Sequence, residues 1–316
     1  MAISRNRTVI IILGPTGVGK TAASIILAKA LNTEIISADS MQVYRGMDIG
    51  TAKPSPSELR EVKHHLIDIL SPGQTFSAGL FREMATGTID SLHAKSRIPV
   101  IAGGTGLYIR SLTAGLFDGP AADLPLRRKL ADEEERHGRG HLYKLLCSVD
   151  PAAAGNISPN DLRRTVRALE VSLKEGKKFS EYREVSTVPS DYDFIKVGLI
   201  RDRKELYRRI DERVDEMLAE GLLKETKRIL EMKPAGTAMQ ALGYKEMGLY
   251  INGAVDYNEA VRLIKKRTRM YAKRQLTWFN KEPGINWVDI TGIIDAHEIY
   301  EKMINSVEIL KKILYS

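Results

Sequence analysis

The tightest constraint on this chain is an eight-residue run, Gly14-Pro-Thr-Gly-Val-Gly-Lys-Thr21, placed directly after Thr8-Val-Ile-Ile-Ile-Leu13. It fits the pattern G-x-x-x-x-G-K-[ST]. Glycines there let backbone N–H groups curl around a phosphate, the lysine adds a point charge, and the following helix N-terminus adds its dipole. The pattern requires a strand before it and a helix after it. The β-branched run 8–13 suits a strand buried on both faces, and Lys20 to Leu31 reads as a helix. With Gly near ~7% of residues, chance gives roughly 0.01 such matches in a chain of this length. Gly14, Pro15, Thr16, Gly17, Val18, Gly19, Lys20 and Thr21 are therefore expected to hold a diphosphate or a nucleotide, with the Thr21 hydroxyl placed for Mg²⁺. The alternative is a glycine-rich turn without a ligand.

A strand buried on both faces implies a parallel sheet, and the next segments fit one. Glu34 to Ser37 reads as a second strand, His65 to Leu70 as a third, Phe76 to Lys95 as a helix, and Ile98 to Ala102 as another strand. The fold class is α/β, a P-loop NTPase-like parallel sheet core. Ligands of such sheets bind at the carboxyl ends of strands, where the turns 14–21, 38–42 and 103–106 fall. The pattern changes near Gly119-Pro120. From there to about Pro189 the chain reads as helices and charged loops. Phe194 to Ile200 then returns to strand character. The organisation is a core of 1–120 and 191–316 with a mostly helical insertion domain, 121–190. Helices are expected over Lys204–Ala219, Leu222–Met232 and Tyr257–Asn280, a strand over Ile285–Ile290, and one closing amphipathic helix over Ala296–Tyr315.

The chain has 316 residues, 43% hydrophobic and 28% charged, which excludes wholesale disorder. No apolar run approaches the ~18–20 residues of a membrane span, and the run ending at Leu13 is too short for a signal core. The single cysteine, Cys147, excludes an internal disulfide and a cysteine-based metal site. A cytoplasmic protein is expected.

A phosphate loop does not name a reaction. An ATPase usually adds an apolar strand ending in Asp. Ile35 to Asp39 and His65 to Asp68 are candidates, but Ile98 to Ala102 ends in Gly103-Gly-Thr105. A group transferase that binds a diphosphate or triphosphate is favoured. Asp39 could hold Mg²⁺, accept a proton from a nucleophile, or simply cap a helix. Gly103-Gly-Thr-Gly106 could let a substrate approach the backbone, with Thr105 as hydrogen-bond partner, or be a tight turn. His64 and His65 would point to opposite strand faces, which makes them poor joint metal ligands.

The net charge is +8, and it has an address. Arg262 to Lys281 carries eight basic residues and no acid. Tyr271, Trp278 and Phe279 are interleaved, a mixture suited to RNA phosphates and unpaired bases. Arg163, Arg164 and Arg167 lie on an expected helix whose apolar face is Leu162, Val166, Leu169 and Leu173. Arg209 and Arg213, four apart, could clamp a diphosphate. Each cluster alone also reads as a solvated helix face.

Taken in order, the phosphate loop, Ile36-Ser-Ala-Asp-Ser-Met-Gln-Val-Tyr44, Asp48-Ile-Gly-Thr-Ala-Lys-Pro54, His64-His-Leu-Ile-Asp68, Gly103-Gly-Thr-Gly-Leu-Tyr108, Asp161 to Glu170, Gln240-Ala-Leu-Gly-Tyr-Lys-Glu246 and Arg274-Gln-Leu-Thr-Trp278 resemble the tRNA dimethylallyltransferases, the bacterial tRNA isopentenyltransferase (IPP transferase) family. The likeness spans about 8–290. It implies alkylation of N6 of adenosine 37 by dimethylallyl diphosphate, in tRNAs reading codons that begin with U. It also implies Mg²⁺ near Thr21 and the tRNA anticodon stem-loop as partner of a monomer. Asp39 would be the general base, Thr105 a hydrogen-bond partner at the reacting adenine, and Lys20 a diphosphate ligand. By the same resemblance tRNA contacts fall on Asp39, Ser40, Met41, Gln42, Thr105, Arg127, Arg163, Arg164, Thr165, Val166 and Arg167. Gly243, Tyr244, Lys245, Lys273, Arg274 and Trp278 match further tRNA-contacting stretches. The rival readings are an adenylate isopentenyltransferase, a small-molecule kinase and an RNA-binding protein that senses nucleotide.

Overall fold

The computed structural model describes residues 7–115, 120, 122–181 and 190–315. The chain divides into two compact units, residues 1–113 with 191–316, and residues 114–190.

The first unit begins with β1 (Thr8–Leu13), α1 (Lys20–Ala30), β2 (Ile35–Ala38), α2 (Pro56–Glu61), β3 (His64–His65), α3 (Ala78–His93), β4 (Val100–Gly103) and α4 (Gly106–Thr113). The six described strands pair in parallel in the order β3-β2-β4-β1-β5-β6, where β5 is Asp193–Ile200 and β6 is Ile285–Asp289. Every side chain of β1 is buried. Alternation along the strand splits them between two faces. Ile10 and Ile12 pack with Leu27, Leu206, Ile299 and Met303, while Val9, Ile11 and Leu13 pack with Phe81, Ile89 and Leu112. Each such burial contributes about 1.5–3 kcal/mol, which fixes β1 at the centre of the sheet. The registers Leu13↔Gly103 and Ala38↔Gly103 bring the carboxyl ends of β1, β2 and β4 level. The phosphate loop, Asp39 and Gly104 therefore leave the sheet side by side.

Two expected elements differ. The third strand stops at His65, because left-handed backbone at Leu66 (φ 62°) and Asp68 (φ 55°) breaks the extension. The closing helix is two, Ala296–Ser306 and Glu308–Tyr315, broken at extended Val307. Both halves bury their apolar sides in one cluster, so the sequence pattern runs across the break.

In the second unit α5 (Leu124–His137), α6 (His141–Val149), α7 (Pro151–Gly155) and α8 (Leu162–Glu175) enclose a small core of Leu130, Leu142, Leu146, Ala168 and Leu169. The buried side of α8 is not the expected one. Thr165, Ala168, Leu169 and Ser172 face inward, whereas Leu162 and Leu173 are exposed. The cause is Glu170, whose side chain is fully enclosed. It accepts from Arg127 Nε at 2.8 Å, Arg167 Nη1 at 2.5 Å and Asp123 N at 2.7 Å. These partners hold its carboxyl down at about 2, against the opposing cost of burial. Ala121 and residues 182–189 of the expected insertion, and Gly119 at its expected boundary, lie outside the described residues.

Back in the first unit, α9 (Arg203–Glu220), α10 (Leu222–Glu231), α11 (Tyr244–Ile251) and α12 (Tyr257–Phe279) follow β5, and α13 (Ala296–Ser306) and α14 (Glu308–Tyr315) close the chain. The helices α9 to α12 join Val43, Tyr44 and Met47 in a third apolar cluster. That packing delivers α9 and α12 to the edge of the phosphate loop.

Candidate active site

The phosphate loop takes its shape from glycine. Gly14 has φ 147°, and a Cβ there would lie 2.6 Å from the Leu199 carbonyl oxygen. Gly19, at φ 115°, is the N-cap of α1 and supplies no side-chain cap. The first-turn N–H groups are thus left for an anion. Lys20 Nζ turns back onto the Gly14 and Pro15 carbonyls at 2.9 and 2.8 Å. Burial pulls the Lys20 ammonium down to about 8; Asp39 opposes this and Arg213 adds to it. Behind the loop, buried Arg201 donates from Nε to Val18 O and from Nη1 to Ile290 O, both at 2.8 Å. The sequence reading passed over Arg201.

Beside the loop, the turns after β2 and β4 are tied together. Thr105 N donates to Ala38 O and Ser40 N donates to Thr105 Oγ1, each at 3.1 Å. Asp39 Oδ1 accepts from Met41 N at 2.8 Å and Gln42 N at 3.4 Å. The Asp39 side chain therefore does cap its own turn, but through one oxygen. The other has no hydrogen-bond partner among the described residues, and Asp39 lines the cavity beside the phosphate loop. Gln42 accepts from Ser37 Oγ at 3.0 Å and donates to Ala52 O at 3.2 Å.

A second residue missed in the sequence lies on α12. Gln275, 6% exposed, accepts from Thr16 N and donates to Gly104 O, both at 2.9 Å. It clips the phosphate loop to the Gly104–Thr105 turn. A Cβ on Gly104 would lie 2.3 Å from Gln275 Nε2 and displace this clip. A faint signal was available: Gln275 is a polar residue in the register of buried Ala272 and Phe279. Tyr271, one turn earlier, lines the same cavity; burial and the Asp39 charge push its phenol well above the usual range.

Lys20, Asp39, Gln42, Gly104, Tyr271 and Gln275 line one cavity of about 430 Å³, together with Thr21, Arg209 and Arg213; Thr105 stands behind this lining, its hydroxyl engaged by Ser40 N. The size suits a small diphosphate ester. Arg209 Nε donates to Gly17 O at 3.3 Å and Arg213 Nη2 to Ala52 O at 3.5 Å. Burial lowers the Arg213 guanidinium, with Asp39 opposing. The cavity thus holds Lys20, Arg209 and Arg213 together with the Asp39 carboxylate, and Glu58, Glu212 and Glu216 also stand in its lining. Among the described residues no three His, Cys, Asp or Glu side chains form a metal cage. The donor set that exists, the Thr21 hydroxyl and Asp39 carboxylate in one cavity, fits a Mg²⁺ that keeps waters and takes most other ligands from a bound diphosphate. His64 lines the cavity, whereas His65 Nε2 bonds Glu34 at 2.6 Å; the two diverge as expected.

The basic window is less free than its count. Arg262 pairs with Glu259, Lys265 with Asp215, Arg267 with Glu246 and Arg269 with Asp211, at 2.5–2.7 Å. Lys266, Lys273 and Lys281 make no ion pair among the described residues, and exposed Arg274 lies 5.8 Å over the Tyr271 ring. Of the expected base-stacking or tRNA-contacting aromatics, two are enclosed and Trp278 is half-buried. Phe279 is fully buried. Trp278 packs against Gly106, where a Cβ would meet its ring at 2.3 Å. Tyr244 is enclosed, its hydroxyl 2.6 Å from Glu225. Beside it, Gly243 is buried and Lys245 exposed. In the second unit Arg163 and Arg164 are exposed, Val166 is half-buried, and Thr165 is buried with its hydroxyl on Asp161 O, so it offers RNA nothing directly. Arg127 and Arg167 are engaged on Glu170.

No described helix is long and apolar enough to cross a membrane. The profile of the IPP transferase family matches residues 42–282. The tRNA dimethylallyltransferase of Thermodesulfovibrio yellowstonii is 51% identical over 97% of this chain and 99% of its own length. The crystal structure of the full-length tRNA isopentenylpyrophosphate transferase of Bacillus halodurans superposes with a TM-score of 0.70 at 40% identity, covering 98% of this chain and 100% of that one. A eukaryotic dimethylallyltransferase acting on tRNA gives a TM-score of 0.77 at 32% identity over 91% of this chain and 75% of its own. With the phosphate loop, the Asp39 turn and these relatives along nearly its whole length, the chain belongs to the IPP transferase family.

Proposed function

We propose that the chain transfers the dimethylallyl group of dimethylallyl diphosphate to N6 of adenosine 37 in tRNAs reading codons that begin with U. The observation that carries this is the single cavity that joins Lys20, Thr21, Arg209 and Arg213 to the Asp39 carboxylate. The exocyclic amine of adenine is a weak nucleophile, so the main electrostatic task is to stabilise the departing diphosphate. The loop N–H groups, Lys20 and the two arginines do this. Mg²⁺, held by Thr21, would add charge neutralisation of the diphosphate. As the C–N bond forms, the C–O bond to diphosphate breaks and its electron pair leaves with the diphosphate. The N6 proton passes to the open oxygen of Asp39, and Thr105 and Tyr271 orient the adenine beside it.

The target base must leave its stack to reach the cavity. Lys273 and Arg274 on α12, and Arg163 and Arg164 of the 114–190 unit, contact the phosphates of the anticodon stem-loop. The protein works as a monomer in the cytoplasm. Labelled dimethylallyl diphosphate offered with Mg²⁺, unmodified tRNA and free AMP, ADP and ATP tests the reading. Label is expected in tRNA alone. Label in a free nucleotide, or ATP consumption without prenyl transfer, refutes it.

A further inference from the structure

Two runs of the sequence have no place in the chemistry above, Asp48–Pro54 and Gln240–Glu246. Both converge on one carboxylate, that of Glu225 on α10, which is 7% exposed. Its Oε1 accepts from Ile49 N at 3.0 Å, Gly50 N at 3.1 Å and Tyr244 Oη at 2.6 Å. Its Oε2 accepts from Asp48 N at 3.1 Å. A buried carboxylate surrounded by donors is a rigid anchor, because any donor that departs is left unsatisfied. Tyr244 also seals the turn sterically: a Cβ on Gly50 would lie 2.4 Å from its ring.

The turn so held leads straight to the cavity. Ala52 sits in left-handed backbone at φ 49°, a conformation that costs an alanine energy and persists only when neighbours enforce it. Its carbonyl meets Gln42 Nε2 at 3.2 Å and Arg213 Nη2 at 3.5 Å. On the other side Lys53 is pinned by Asp48 at 2.6 Å and Asp68 at 2.5 Å.

We infer that Glu225 is a positioning residue: it fixes the 48–52 turn so that the Ala52 carbonyl places the Arg213 guanidinium, and through Gln42 the Asp39 turn, for the donor diphosphate. This rests on the reading of the cavity as the diphosphate site. The carboxylate itself touches no substrate. Tyr244 and Gly50 belong to the same device, which is why a tyrosine that resembles an RNA contact lies inside the protein.

The test is a double-mutant cycle on full-length protein, read by calorimetric binding of inorganic diphosphate and by kcat and KM for dimethylallyl diphosphate. Glu225→Gln keeps the shape but turns an amide toward backbone donors. It is expected to weaken diphosphate binding on the order of tenfold, a usual coupling within one hydrogen-bond network, with tRNA affinity unchanged. In an Arg213→Ala background the same change is expected to add less than about twofold. Equal losses in both backgrounds overturn the inference, since a general structural defect does not depend on Arg213. Should Glu225→Gln not fold, Tyr244→Phe, which removes one hydrogen bond, is read in the same cycle by the same criterion. Failure of the wild-type protein to bind diphosphate refutes the cavity reading itself, and the inference with it.

Discussion

Gln275 offers the sharpest perturbation of the site. Its amide holds Thr16 N and Gly104 O at 2.9 Å each, so it sets the spacing between the loop proposed to bind the donor and the turn that carries Thr105. In Gln275→Ala both partners lose their bond. An unsatisfied buried group costs about 1–3 kcal/mol, so the variant is expected to lose roughly 2–4 kcal/mol of stability, with water relieving part of the cost at half-exposed Thr16. The catalytic effect is larger. A shift of about 1 Å between reacting groups costs on the order of 10²-fold in rate. Gln275→Ala should therefore slow the single-turnover transfer about 10²-fold in the preformed ternary complex, with donor affinity changed only a few-fold. Gln275→Glu separates the two bonds. It keeps the acceptor for Thr16 N but sets a carboxylate oxygen against Gly104 O and a negative charge beside the donor site, so donor affinity falls as well. Denaturant unfolding and rapid-quench kinetics read these quantities. An alanine variant with wild-type single-turnover rate, and stability within about 0.5 kcal/mol of wild type, refutes the reasoning.

The remaining predictions address charge and proton transfer. Lys20 in the free chain titrates at about 8, below its ordinary 10.5. A bound diphosphate favours the protonated form, so diphosphate affinity should fall as pH rises above about 8, by up to tenfold per unit. Lys20→Arg, which stays protonated, should flatten that profile; a flat wild-type profile contradicts the burial of Lys20. By the same linkage the unfolded Lys20 holds its proton to higher pH than the folded one, so this group adds stability as pH rises from about 8 toward 10.5. Asp39→Asn should cut turnover by about 10²-fold or more, the range of general-base losses, while tRNA still binds; unchanged turnover removes Asp39 from that role. Charge reversal at Lys273 and Arg274 should weaken tRNA binding and lower its salt dependence by about one unit of slope per lost phosphate contact, whereas an unchanged slope places those side chains off the RNA.

What was legible in the sequence is what is contiguous. The phosphate loop is one run of residues with its strand and helix attached, and the buried strands announce themselves as apolar runs. The turns at Asp39 and Thr105 follow from where those strands end. Gln275 was not legible in the same way, because it acts on Thr16 from 259 positions away and looks like any polar residue of a charged helix. Arg201 and Glu225 were hidden for the same reason, since each takes several of its partners from the backbone of distant segments. Counting charges along 262–281 gave the sign of the surface but not its pairing. Four of the eight cations are met by Asp and Glu, three of which stand on other helices. The face of α8 differs from the apolar pattern because a carboxylate is enclosed beside Leu169, where two arginines and the Asp123 N–H make it tolerable.

The central claim is that one cavity brings a diphosphate-bearing donor to the N6 amine of a flipped adenosine. It is tested most directly by following both products of one reaction: the labelled nucleotide, mapped by nuclease digestion of the tRNA, and the diphosphate released. The account predicts label on N6 of adenosine 37 alone, with one diphosphate released for each group transferred. Label elsewhere in the tRNA or on a free nucleotide, or diphosphate release without transfer, contradicts it.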